Sequence, residues 1–135
     1  MWLQDSEFSL VIRTDFAHSG EWVRIRSAIA EPQTEDEFAA LVTFVDDPAN
    51  DGLTVPRLLE KVPAGSNHAI AFLVDAKALT HPDSPVLVVN IRDGATFRAV
   101  PSEMWTVQSN LALANMDWED FATSVNDDGI LRGFD

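Results

Sequence analysis

Short runs of apolar, often β-branched residues alternate along this chain with segments whose apolar residues recur every three or four positions. The first run, Ser9–Arg13 (SLVIR), has the length and content of a buried strand. After the loop that follows, Trp22, Ile25 and Ile29 stand at i, i+3 and i+7. That spacing predicts a helix capped by Ser19 and ended before Pro32. The acidic stretch EPQTEDEF reads as a solvated connector, and Ala40–Val45 (ALVTFV) as a second strand stopped by DDPANDG.

Thr54 is placed to cap a second helix, with Val55, Leu58, Leu59 and Val62 on one face and Pro63 at its end. Leu53 and Leu58 take the two positions of a hydrophobic staple. Ala69–Val74 (AIAFLV) is apolar throughout, as a central strand covered on both faces must be. Val86–Ile91 and Thr96–Val100 flank Asp93-Gly94, a strong hairpin signal that predicts two antiparallel neighbours.

The segment VPSEMWTVQSNLALANMDWEDFATSV predicts two consecutive helices. Ser102 starts the first, which carries Met104, Val107, Leu111 and Ala114 along one face, and Asn115 suits the left-handed position that ends it. Asp117 caps the second, where Trp118, Phe121, Ala122 and Val125 fall at helical spacing and Met116 staples onto Phe121. Two βα units followed by a strand and a hairpin predict a single α/β domain over residues 1–135. The expected architecture is a small three-layer domain with a mixed five-stranded sheet covered by helices. Order 2-1-3 is the simplest arrangement for its parallel part.

Charge changes the picture more than length does. Nine Lys and Arg stand against 22 Asp and Glu, a net charge of −13. Such a field repels nucleic acid and anionic lipid, and the arginines are scattered rather than gathered into a patch. A basic protein or a cationic ligand is the partner that this charge fits. The absence of cysteine excludes disulfides and thiolate metal sites and fits a reducing, cytoplasmic setting. No secretory pattern is visible at the start, and no apolar run approaches membrane-spanning length.

In open α/β sheets, ligands collect beyond the carboxyl ends of the strands. Those ends carry Asp15, Asp46, Asp47 and Asp75, with His18, Lys77 and His81 close in sequence. Four hard oxygen donors at one sheet edge are suited to Mg²⁺ with a phosphate-bearing substrate. The pattern is loosely similar to response-regulator receiver domains, departing from them in length, in the fourth and fifth strands, and in lacking a lysine after a fifth parallel strand. The plainer alternative is that aspartates after strands serve as loop and capping residues.

Other constellations fail on inspection. DDPANDGL and SVNDDGILRGFD place non-ligating or wrong residues at calcium-loop positions and read as acidic turns. PAGSNH lacks a Walker lysine, there is no GxSxG, and no catalytic residue is assigned. Trp22 and Trp118 match apolar helix faces. Trp105 is offset from the Met104–Val107–Leu111 row, which makes it a candidate surface anchor.

The blocks LVIRTDF, FVDDP, DGLT and FRAVPSEMWTVQSNLALANMDWEDFA resemble those of an uncharacterised bacterial family catalogued as a domain of unknown function. The likeness covers nearly the whole chain. It implies a bacterial, stand-alone, cytoplasmic domain in which Asp15, Asp46, Asp47 and the SEMW–ANMDW segment fall in recognisable blocks. It carries over no activity, cofactor or catalytic residue. The expectation is therefore a non-enzymatic interaction module, with an immunity-type inhibitor of a basic partner as the nearest analogy. Trp105, Asp117 and Trp118 are its candidate contacts. The alternative is a Mg²⁺-dependent or phosphate-handling enzyme using Asp15, Asp46, Asp47 and Asp75.

Overall fold

The computed structural model describes residues 9–31, 42–62, 69–112 and 118–132. Among these, six strands form one mixed sheet: β1 (Ser9–Arg13), β2 (Val42–Val45), β3 (Ile70–Val74), β4 (Val86–Asn90), β5 (Thr96–Ala99) and β6 (Ile130–Leu131), in the order β2-β1-β3-β4-β5-β6. β1 runs parallel to both β2 and β3, with Val11 opposite Phe44 on one side and Phe72 on the other. β4 is antiparallel to β3 and β5, and β6 lies parallel to β5. All described strands but β4 thus end at the same edge of the sheet.

Five described helices cover it: α1 (Ser19–Ala30), α2 (Val55–Lys61), α3 (Ala76–Thr80), α4 (Met104–Ala112) and α5 (Trp118–Ala122). Side chains alternate across a strand, so β1 and β3, buried along their whole length, feed two cores. On one face Val11, Phe72, Val74, Val88 and Phe97 meet Trp22, Ile25 and Ile29 of α1, Leu79 of α3, Met104 and Val107 of α4, and Phe121 of α5. Phe97 lies 4.7 Å from the Trp118 ring and stacks at 6.1 Å on Phe121. On the other face Leu58 of α2 closes over Leu10, Ile12, Ala71, Leu73 and Val89. The crossovers carrying α1 and α2 step along the sheet in opposite directions and pack on opposite faces, as two crossovers of one hand must.

The expected three-layer α/β plan and the 2-1-3 order are therefore present, with one strand more than the five anticipated. The addition, β6, is two residues long and exists through its pairing with Arg98 and Ala99 of β5. Ser19 does not cap α1: it is the first helical residue, His18 before it makes no side-chain cap bond, and the Ser19 hydroxyl accepts from Arg13 at 3.0 Å. Ser102 lies within a 3-10 turn, Pro101–Glu103, from which α4 continues. Thr54 caps α2 as expected, accepting the Arg57 amide. Asn115 and Asp117 lie outside the described residues.

A candidate binding cleft at the strand carboxyl ends

Three arginines stitch the common edge of the sheet together. The Arg13 side chain, buried at the end of β1, donates to the Asp15 carbonyl at 3.0 Å, to the Asp46 carboxylate at 3.2 Å and to Ser19. Its guanidinium lies over the rings of Phe16 and Trp22, at 4.3 and 5.6 Å. This tethers the ends of β1 and β2 to the start of α1.

Arg98 reaches from β5 to the end of β3, grips both oxygens of Asp75 at 3.0 and 2.7 Å, and donates to the Pro85 carbonyl. Asp75 also accepts the Ala78 amide and so caps α3. Burial would raise the Asp75 carboxyl. The Arg98 hydrogen bonds, the Ala78 amide and the arginine charge outweigh it and hold the group below its ordinary value. Arg132, after β6, pairs with Asp83 and Asp128 at 2.7 and 2.8 Å. The hydrogen bond from Arg132, acting against a smaller desolvation, keeps Asp128 below the usual carboxylate range.

Between these staples lies an open cleft of about 430 Å³. Thr14, Asp15 and Ala17 contribute the wall after β1, Asp51, Gly52 and Leu53 the wall ahead of α2, and Asp75 with Ala76 the wall after β3. Backbone bonds fix its floor: the Thr14 amide donates to the Val74 carbonyl at 3.0 Å, and the Gly52 amide to the Thr14 carbonyl at 2.8 Å. Gly52 holds φ at +76°, a conformation open to glycine at little cost. The lining holds three carboxylates and no basic side chain.

The carboxylates differ in what already occupies them. Asp15 accepts the Ala17 amide at 2.7 Å and faces His18 Nδ1 at 3.2 Å. Asp75 is held by Arg98. Asp51 is exposed, and among the described residues its carboxylate has no hydrogen-bond or ion-pair partner.

Of the aspartates singled out from sequence, Asp15 and Asp75 come together at this cleft, whereas Asp46 and Asp47 do not line it. Asp46 is drawn aside by Arg13, and Asp47 accepts the Ala49 amide to cap the 3-10 turn Pro48–Asn50. Among the described residues no three His, Asp or Glu side chains stand close enough to hold a metal ion. Asp51 takes the place of Asp46 and Asp47, and its Asp-Gly step in DDPANDGL was the available signal. Trp105 is half-buried on α4, Trp118 is half-buried against Phe97, and Asp117 lies outside the described residues. No described helix is long and apolar enough to cross a membrane.

Comparison with curated proteins gives no match. The sequence profile of one family, Domain of unknown function (DUF6924), matches residues 8–134, and the chain belongs to that family.

Proposed function

We propose that this is a cytoplasmic bacterial interaction module that engages a basic protein, with a lysine or arginine of the partner entering the strand-end cleft. One observation carries the reading. The cleft is lined by Asp15, Asp51 and Asp75 without a basic side chain; Arg98 is taken up by Asp75 from behind the wall, and Arg13, Arg24 and Arg132 are paired with carboxylates outside the cleft. With four of the seven arginines paired inside the chain, the acidic field of a −13 chain is directed at its surroundings. Such a field accelerates encounter with a cationic partner and repels nucleic acid. Neutralising a basic partner in the manner of an immunity-type inhibitor is the biological form that this chemistry fits.

The alternative, a Mg²⁺-dependent or phosphate-handling enzyme, has less support. Asp46 and Asp47 are diverted from the cleft, and Asp75 is held by a guanidinium. Titration with an arginine-rich peptide at several salt concentrations tests the proposal. Binding that weakens steeply with salt and is reduced in Asp51→Asn supports it; salt-insensitive binding, or equal binding by Asp51→Asn, refutes it.

A further inference from the structure

The chain contains three Asp-Gly steps, Asp51-Gly52, Asp93-Gly94 and Asp128-Gly129. This dipeptide is prone to isomerisation because glycine has no Cβ to obstruct attack by its own amide on the preceding carboxyl group. The three steps are alike in one respect: each glycine amide is hydrogen-bonded, Gly52 to Thr14, Gly94 to Asn90 and Gly129 to Asn126. They differ in the electrophile and in the room around it.

Asp93 accepts the Ala95 amide at 2.9 Å, and a Cβ at Gly94 would stand only 3.0 Å from Leu59 Cδ1. The Asp93 carboxylate is thus tied to a backbone amide, and Leu59 crowds the glycine beside it. Asp128 precedes a glycine with open surroundings, where a Cβ would meet nothing within 4 Å. Its carboxylate, however, accepts the Ile130 amide and is gripped through both oxygens by Arg132. Loss of a carboxyl hydroxyl as water requires the protonated acid, which the guanidinium opposes. Asp51 alone has a carboxylate without a partner among the described residues, and it too precedes a glycine with open surroundings.

We propose that Asp51-Gly52 is the site at which the folded chain converts to isoaspartate. The Gly52 amide first leaves the Thr14 carbonyl. Its nitrogen then attacks Cγ of the protonated Asp51 carboxyl group, the C–OH bond breaks, and the hydroxyl departs with the amide proton as water, closing a succinimide. Water adding back at Cγ restores aspartate. Adding at the main-chain carbonyl carbon yields isoaspartate, whose main chain runs through the former side chain and is longer by one methylene. The product shifts a cleft carboxylate and displaces the Gly52–Thr14 link, so the modification alters the cleft wall itself.

The test is to age the intact, folded protein in mildly acidic buffer, digest it, and quantify isoaspartate at each step by electron-transfer fragmentation. Isoaspartate accumulating several-fold faster at Asp51 than at Asp93 or Asp128, with the three rates converging in urea, is the expected result. Equal rates in the folded protein, or a faster site elsewhere, overturn the proposal. Asp51→Glu should abolish the main signal. Arg132→Gln should raise the rate at Asp128 and leave Asp51 unchanged; no rise at Asp128 would refute the argument from the arginine clamp.

Discussion

Replacing Asp75 with asparagine keeps a side chain able to cap α3 but removes the charge that Arg98 grips. The pair is neither fully exposed nor fully buried, with side-chain exposures of 16% for Arg98 and 30% for Asp75. Exposed pairs contribute about 0–1 kcal/mol, and breaking a buried one costs about 3–5 kcal/mol. The substitution should fall between, at about 2 kcal/mol, which for a chain of this length corresponds to a melting-temperature loss of roughly 6 °C. Asp75→Ala should cost about 1 kcal/mol more, because the cap on the Ala78 amide goes as well.

The sign of the pH dependence follows from the depressed carboxyl. A group whose folded-state pKa lies below its ordinary 3.8 contributes in full above that value, and the contribution fades as pH falls through the lower, folded-state value. The gap between the native protein and Asp75→Asn should therefore be widest near neutrality and close in acid. Urea denaturation followed by tryptophan fluorescence at neutral and acidic pH measures it. A gap that is absent at neutral pH, or that persists undiminished in acid, refutes the reasoning.

Further substitutions probe the packing. Phe121→Ala should destabilise by about 3–5 kcal/mol in the same assay, because the ring is fully buried against Phe97. Val23→Ala, at a side chain 62% exposed, should change almost nothing. Gly94→Ala should cost about 1–2 kcal/mol, since φ is +78° and the new Cβ would press on Leu59. Ser84→Gly should instead raise the melting temperature, with a gain of about 1 kcal/mol. Ser84 sits at φ +51° with a buried hydroxyl that has no hydrogen-bond partner among the described residues, and relief of both outweighs the entropy that glycine loses. A lower melting temperature in Ser84→Gly would contradict that account.

What could be read from the sequence was what local pattern determines. SLVIR and AIAFLV are apolar on both alternations because β1 and β3 lie between two layers, and Trp22, Ile25 and Ile29 mark one face because α1 covers only one side of the sheet. The missing pieces owe their existence to distant partners. β6 is too short to leave a periodic trace and forms against β5; α3 is little more than one turn, begun by an Asp75 that looks equally like a ligand.

The strand-end principle located the edge and two of the three cleft aspartates. It did not distinguish Asp46, diverted by a guanidinium buried at the end of β1, from Asp51, which reaches the cleft through the turn after β2. Ser19 illustrates the same limit. Its place before a helical pattern fitted a cap, but the three-dimensional neighbour that uses its hydroxyl is Arg13.

Backbone amide NMR during titration with an arginine-rich peptide examines the cleft most directly. Saturable shifts concentrated at Thr14, Asp15, Ala17, Gly52 and Ala76, weakened by added salt, are the predicted result. Shifts spread evenly over the exposed carboxylates of the chain, with those amides unmoved, would show that its acidity serves no particular place and would contradict the assignment.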